Sequence, residues 1–371
     1  MKIIYLTNQF YLHGGIEKML SQKLNYLEAV LGYEVILCTT EHKSNPFVYP
    51  VNNNVRHVDL GINYHREKSY FHPKNLWKSI AHYKTLRSFL ESEQPDVVVS
   101  VNYTPEQFLL PFIRKHIPKV KEFHSSGVSM VKPTNLPGKL KHRLFKIFGK
   151  YEALVLLNED EPNYYPFTQL HVIPNFISIP KETPGLAKEK TILAAGRIAP
   201  VKQFDHLIQA WALIADQHPD WEVRIFGDGD PELTGKLQDQ INALKISTIR
   251  LMGSTAQLDT EMQKASIYAM TSSTECFPMV LLEAQAAGLP IVSYDCPHGP
   301  RNIVTHEVNG LLTPLNKIDD FAQALNSLIN NEQLRKEMGD SAKDNIKIYA
   351  EEHIMQQWVT LFISLKSDKD V

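Results

Sequence analysis

TSSTECFPMVLLEAQAAGLP, residues Thr271 to Pro290, carries a strand end, a loop, a helix start and two spaced carboxylates in twenty positions. The preceding IYAM (Ile267 to Met270) is a short apolar run of strand type, and Ser272 to Phe277 is polar and loop-like. Pro278 suits the first turn of a helix that MVLLEAQAA continues, because proline lacks the N–H that would go unused there. Gly288 ends the helix, Pro290 prevents its return, and IVSY (Ile291 to Tyr294) resumes a buried strand.

Glu275 falls in the loop, and Glu283 falls about one and a half turns into the helix at ~3.6 residues per turn. Between them, the amides around Phe277, Pro278, Met279 and Val280 open a helix, where donors and a partial positive charge suit a phosphate. Carboxylates on either side would accept hydrogen bonds from hydroxyl-rich groups such as a ribose and a sugar. Two glutamates alone fit a plainer account better, a solvated loop charge and an exposed helix position.

The whole chain of 371 residues exceeds one comfortable core and suits two domains of roughly 180 residues each. The net charge is -2, yet residues 1–180 carry 21 Lys+Arg against 15 Asp+Glu, so that half is +6 and the remainder -8. An N-terminal half facing something anionic fits this asymmetry, as does ordinary solvated charge. Cys38, Cys276 and Cys296 are too few and scattered for a disulfide framework or a zinc site, which fits a reducing cytosol. No stretch approaches ~18 apolar residues, and MKIIYLTNQF is too short a run for a secretion signal. Basic and aromatic interleaving of the nucleic-acid-binding kind is also missing, so no nucleic acid partner is expected.

The N-terminal half opens as strand, glycine loop and helix: KIIYLT, then NQFYLHGG, then a helix from about Ile16 to Val30. Gly14 and Gly15 would place bare amides at that helix start, open to a phosphate or sugar, though a GG pair equally makes a plain turn. EVILCTT, DVVVSV, VKEF and EALVLL are further buried strands separated by helical stretches, a pattern of parallel doubly wound sheets. Ligands bind beyond the carboxyl ends of such strands, where His124 follows VKEF; a histidine capping a strand is the structural alternative. PGKLKHRLFKIFGK (Pro137 to Lys150) reads as a basic amphipathic helix, with Lys139, Arg143, Lys146 and Lys150 in one stripe beside Leu140, Leu144, Ile147 and Phe148. Such a helix suits an anionic membrane face or an ordinary surface position. HVIPNFISIP, with two prolines, reads as a connection, so the first domain is taken as 1–175 and the second as 176–349.

The C-terminal half restarts with TILAAGRIAPVKQFDHLIQAWALI, a strand, a loop holding Arg197 and Lys202, and a helix. A guanidinium fork and a compact ammonium there would neutralise a diphosphate, although two basic loop residues are commonly just solvated. WEVRIFGDGD and TIRLMGS are strands with glycine turns: Gly227 would admit a ligand, and Met252 and Gly253 would offer backbone contacts to a base, if these are more than tight turns. No Asp-x-Asp pair precedes a suitable turn and no metal-ligand cluster stands out, so no metal and no cofactor is expected. IMQQWVTLFISL lies in a final helix, about 350–371, that should pack back onto the first domain.

Several of these segments together resemble one family. ECFPMVLLEAQAAGLPIV is similar to the E-x7-E signature, with its FP-x-VLLEA core, of retaining glycosyltransferases of family four. GGIEK resembles that family's GG-x-E-[RK] loop, GRIAPVKQFDHLI its GR-x4-K-x2-D-x-L-I segment, and GPRNIVTHEVNGLL its GP-x-E-I-I...NG-L-L stretch. Two departures stand out: Phe204 replaces the commoner glycine, which puts the local turn in question, and Asn302 stands where many relatives have glutamate.

The resemblance implies an α/β GT-B fold, two Rossmann-like doubly wound domains facing a central cleft. It implies Glu275 at the donor sugar, Glu283 on the nucleotide ribose, Arg197 and Lys202 on the leaving diphosphate, Gly14 and Gly15 near diphosphate and sugar, and His124 near the anomeric carbon. The expected reaction moves a hexose from a nucleotide-diphosphate sugar, UDP being the first choice, to a glycan or lipid-linked acceptor with retention of configuration. The expected place is the cytoplasm or the inner face of its membrane. A sugar-nucleotide 2-epimerase or a non-catalytic nucleotide-sugar binder of the same architecture would carry similar motifs; an NAD-dependent dehydrogenase would need a glycine fingerprint that is missing.

Overall fold

Every apolar run singled out above is a strand in the computed structural model, which describes residues 1–127, 144–179 and 186–367. Two units form, one from Met1–Pro174 with Ile354–Val371, the other from Asn175–His353.

The first unit is built on a seven-stranded sheet in the order β3-β2-β1-β4-β5-β6-β7, every neighbour parallel. Its strands are β1 (Lys2–Thr7), β2 (Glu34–Thr39), β3 (Arg56–Asp59), β4 (Val97–Ser100), β5 (Lys119–Glu122), β6 (Ala153–Leu156) and β7 (Leu170–Val172). Helices α1 (Gly15–Ala29), α2 (Pro73–Glu93) and α3 (Glu106–Leu109) join them. A parallel sheet is covered on both faces, which is why β1, β2, β4 and β6 are nearly continuous apolar runs with fully buried Ile3, Ile4, Val98 and Leu154.

The outermost strands are the ones the sequence did not announce. β3 (RHVD) and β7 (LHV) are edge strands with no buried position, so selection for apolar side chains is weak there. The segment read as a connection, HVIPNFISIP, therefore begins inside strand β7, and the chain becomes irregular only after Val172.

The second unit has a six-stranded parallel sheet, β10-β9-β8-β11-β12-β13. It comprises β8 (Thr191–Ala195), α4 (Phe204–Ala212), β9 (Glu222–Phe226), α5 (Pro231–Leu244), β10 (Ile249–Gly253), α6 (Leu258–Lys264), β11 (Ile267–Met270), α7 (Met279–Ala286), β12 (Ile291–Tyr294), β13 (Gly310–Thr313), α8 (Ile318–Asn330) and α9 (Glu332–Asn345). Trp211 of α4, Tyr294 of β12 and Phe321 of α8 are fully buried in its core. Burying each such side chain is worth about 1.5–3 kcal/mol.

The last helix, α10 (Glu351–Ser367), buries Ile354, Met355, Trp358, Leu361, Phe362 and Leu365, a stripe at helical spacing, and from Ile354 onward belongs to the first unit. It is pinned there by Lys366 with Asp96 at 3.0 Å and by Trp358, whose ring lies under the Lys23 ammonium at 3.7 Å.

The basic amphipathic helix expected over Pro137 to Lys150 is only partly within the described residues: Lys139, Leu140 and Arg143 lie outside them. Leu144 and Phe145 are α-helical as expected, and the rest of the described part differs. Lys146–Lys150 is a 3₁₀ turn, not an α-helix, because Phe148 is drawn fully into the core against Phe108, Phe123 and Phe145.

Candidate active site

In an open parallel sheet, ligands bind beyond the strand ends where the strand order reverses, since the loops on either side diverge there. In the second unit that point lies between β8 and β11, neighbours in the sheet although α4, β9, α5, β10 and α6 intervene in the chain. The loop after β8 carries Arg197 and Lys202; the loop after β11 carries Glu275. The Lys202 Nζ stands 2.7 Å from Glu275 Oε1, the two side chains 20% and 16% exposed.

Hydroxyls and amides of the β11 loop hold these segments in register. Thr271 Oγ1 donates to the carbonyls of Lys202 (3.0 Å) and Gln203 (2.9 Å), and the Ser273 amide donates to Val201 at 2.8 Å. Neither Thr271 nor Ser273 stood out in the sequence, since a hydroxyl in a polar loop has no distinctive spacing. The turn doubted because of Phe204 is sound: the left-handed residue is Gln203 (φ 45), one position earlier, and Phe204 opens α4 as a buried core residue. The Lys202 stem crosses Gly196, where an added Cβ would meet its Cε at 3.2 Å. Arg197 is exposed and makes no ion pair with any described residue.

Glu275 is braced from its other side. Its amide donates to the Pro297 carbonyl (3.1 Å), and its carbonyl accepts from His298 (2.9 Å) and Gly299 (3.0 Å). Beyond it Phe277 is buried against Tyr349, ring centroids 5.5 Å apart, and Pro278 is the N-cap of α7 rather than its first residue. Because proline has no N–H and no side chain caps this helix, the amides open to a ligand at its start are those of Met279 and Val280. Glu283 follows one turn later and is 8% exposed, so it is not the exposed helix position of the plainer account.

The glycine turns beside this site serve the chain itself. Gly227 (φ 144) was expected to admit a ligand, but a Cβ there would lie 1.9 Å from the Gly196 carbonyl oxygen, so the crossing of two strand ends already demands glycine. Its amide donates to the Gly253 carbonyl at 2.8 Å, while Met252 is 44% exposed. Asp228 accepts from the Ser254 amide and Asp230 caps α5 by accepting from Glu232. Among the described residues, no three His, Cys, Asp or Glu side chains converge as metal ligands.

In the first unit the order reverses between β1 and β4, and Asn102 Nδ2 bridges the gap by donating to Thr7 Oγ1 (2.6 Å) and Asn8 Oδ1 (2.7 Å). Gly14 caps α1 and Gly15 begins it. A Cβ on Gly14 would come within 2.3 Å of Glu17 Oε2, the end of a flexible side chain, so the chain's own carboxylate occupies the space beside this glycine. Burial raises the Glu17 pKa, and Gln9 donates to its Oε1 at 2.8 Å while taking the amides of Tyr11 and Leu12 on its own carbonyl. His124 lies at the carboxyl end of β5, its side chain 6% exposed, with Nε2 3.1 Å from Glu122 Oε2. Lys23 reaches the same oxygen at 2.9 Å. Neither Glu122 nor Lys23 was read as part of a site, because a charge inside an apolar strand or helix face has no motif of its own.

Comparison with known proteins adds to this geometry. Residues 13–179 match the family model described as Glycosyltransferase Family 4, and residues 177–345 match that described as Glycosyl transferases group 1. An uncharacterized glycosyltransferase of Haemophilus influenzae is 30% identical over 93% of this chain and 95% of its own length. An exopolysaccharide phosphotransferase of Streptomyces coelicolor is 34% identical over 64% of this chain, which there spans only 26% of the relative's length. An S. aureus TarM variant, solved with fondaparinux, α-GlcNAc-glycerol and UDP, superposes with a TM-score of 0.77 over 97% of this chain and 99% of its own, at 16% identity. Two parallel-sheet units whose switch-point loops carry the family's motifs, together with a relative matched along nearly its whole length, make the conclusion plain: the chain belongs to glycosyltransferase family four and has the GT-B fold.

Proposed function

We propose that this glycosyltransferase moves a hexose from a nucleoside-diphosphate sugar, with UDP the preferred nucleotide, to a hydroxyl of a glycan or lipid-linked acceptor with retention at the anomeric carbon, in the synthesis of a cell-surface polysaccharide. The observation that carries this reading is the 2.7 Å pair of Lys202 and Glu275 beside the uncapped start of α7. It joins a cation for a leaving diphosphate, a carboxylate for sugar hydroxyls and amides for phosphate oxygens at one switch point.

The barrier to such a transfer lies in separating an anionic diphosphate from an oxocarbenium-like sugar. Arg197, Lys202 and the amides of Met279 and Val280 would hold the charge that develops on the diphosphate, in place of a metal ion. The departing phosphate oxygen would then take the proton of the attacking hydroxyl on the same face, without a side-chain nucleophile. Glu283 would accept from the ribose hydroxyls, Met252 and Gly253 would lie beside the base, and His124 with the Gly14–Gly15 turn would contact the donor sugar and diphosphate. UDP is favoured by its presence in the TarM variant complex, and a polysaccharide role by the name of the Streptomyces relative.

A peripheral contact with anionic membrane, to meet a lipid-linked acceptor, belongs to the same proposal. No helix among the described residues is long and apolar enough to cross a membrane. Helix α2 and the residue before its cap expose Phe71 (62%), Leu76 (48%), Trp77 (74%) and Ile80 (50%), with the exposed cations Lys74, Lys84 and Arg87 on the same helix. Apolar side chains flanked by cations suit an interface of anionic headgroups.

Calorimetric titration with UDP, GDP and ADP, followed by UDP-sugars with detection of released nucleotide, tests the reading. Selective UDP binding with sugar transfer or slow release supports it. Binding without turnover would replace it with a nucleotide-sugar binder, epimerised product with an epimerase, and no binding to any nucleotide would remove it.

A further inference from the structure

We propose that Glu122, held by Lys23, is a positioning residue that fixes the ring of His124 so that Nδ1 is presented as a hydrogen-bond acceptor. Only the identity of the group that Nδ1 meets, a hydroxyl of the donor sugar, rests on the transferase reading.

The geometry is closed on one side and open on the other. Glu122 Oε2 receives Lys23 Nζ at 2.9 Å and His124 Nε2 at 3.1 Å, with the Lys23 and Glu122 side chains 2% and 0% exposed. An ionised carboxylate only accepts, so the proton of the imidazole must sit on Nε2. Although burial raises the Glu122 pKa, the charge of Lys23 and the bonds from His124 and Lys23 outweigh it and bring it to about 2. Burial lowers the His124 pKa, against the opposing pull of Glu122, so the ring is neutral near pH 7. In a neutral ring protonated at Nε2, Nδ1 carries a lone pair. Among the described residues Nδ1 meets no hydrogen-bond partner.

Stability does not account for this arrangement. Lys23 sits on the buried face of α1 between Leu20, Leu24 and Leu27, where a leucine or methionine would pack without losing hydration. Replacing a buried ion pair by apolar residues of similar volume is commonly neutral or stabilising, whereas removing one partner strands the other. The Trp358 ring of α10 lies 3.7 Å from the ammonium, shielding it from water while its face attracts the charge. The device therefore runs from α10 through α1 to β5 and ends at the carboxyl end of the strand, where the fold places ligands. Lys121 also acts on the His124 ring and lowers its pKa further, which reinforces the neutral form.

The test uses the full chain labelled with ¹⁵N-histidine, the His124 signals being assigned by their loss in His124→Asn. The proposal expects the Nε2–H tautomer in the wild type between pH 6 and 8; an Nδ1–H tautomer would overturn it without any variant. In Lys23→Met/Glu122→Leu the expected result is loss of that tautomer preference, a melting temperature no lower than wild type, and kcat at least 10-fold lower with donor KM within twofold. In Lys23→Met/Glu122→Gln the amide oxygen still accepts from Nε2–H, so the tautomer and most of kcat should return. Equal kcat in both double variants and the wild type would overturn the proposal. Failure of the transferase reading appears separately, as absent nucleotide binding in the wild type, and leaves the tautomer measurement decisive.

Discussion

Lys202 and Glu275 stand 2.7 Å apart across 73 positions of sequence, one on the loop after β8 and the other on the loop after β11. The ammonium is therefore held and partly neutralised in the free protein, at 20% exposure. A diphosphate arriving at α7 would draw on a cation already in position, with little reorganisation needed as charge develops.

Loss of that cation should cost turnover more than binding. Lys202→Met is expected to lower kcat by about 100-fold, the usual scale for removing one preorganised donor, while the UDP dissociation constant changes by less than about 10-fold. Steady-state kinetics beside calorimetry checks this. The reverse pattern would place Lys202 in ground-state binding.

Glu283 should behave in the opposite sense. Glu283→Ala removes acceptors for ribose hydroxyls, so UDP binding should weaken by about 10-fold, the worth of about 1.4 kcal/mol. Calorimetry with UDP and with uracil compares the two; an unchanged UDP constant would sink the ribose assignment.

Gly227→Ala should fail for reasons of packing. The new Cβ would sit 1.9 Å from the Gly196 carbonyl oxygen, at φ 144, where an L-residue is strained. A loss of about 2–4 kcal/mol is expected, read as a fall in the denaturant midpoint. A wild-type midpoint would mean that the Gly196 turn yields freely.

The buried carboxylate should leave its mark in acid. The Glu122 pKa in the fold, about 2, lies below its ordinary value of 4.5, so its contribution is complete above pH 4.5 and disappears as pH falls toward 2. Melting temperatures of the wild type and of Lys23→Met/Glu122→Gln between pH 2 and 6 should show a shallower acid slope in the variant; parallel slopes would contradict the assignment.

Membrane contact through α2 is open to a direct measurement. Trp77→Ser with Ile80→Ser should abolish sedimentation with vesicles rich in phosphatidylglycerol, and 0.5 M salt should weaken binding of the parent, because the ~10 Å screening length at 0.1 M shortens further. A parent chain that does not sediment ends the idea. If the α2 variant sediments normally while neutralising Lys139, Arg143, Lys146 and Lys150 releases the chain, the contact lies in that basic stretch.

The order of residues was enough to settle the class of fold and the likeness to family four. Ten apolar runs alternate with helical stretches, a pattern that argues a parallel α/β sheet, and Thr271 to Pro290 carries its strand, loop, helix and stop signals in order. Local chemistry sufficed because strands buried on both faces must be apolar and helix ends must be punctuated. Edge strands β3 and β7 escaped notice because one side of each lies open, and the 3₁₀ turn of Lys146–Lys150 because α and 3₁₀ turns at a helix end bury the same apolar residues and differ only in how the chain packs around Phe148. Which residues meet was set by the packed fold. Strand order brings Lys202 to Glu275, the crossing of β8 and β9 ends explains Gly227, and the packing of α1, β5 and α10 encloses Lys23, Glu122 and Trp358 around the back of His124. Such pairings depend on sheet order and on which face of a helix turns inward, and neither has a local signature at the residues concerned.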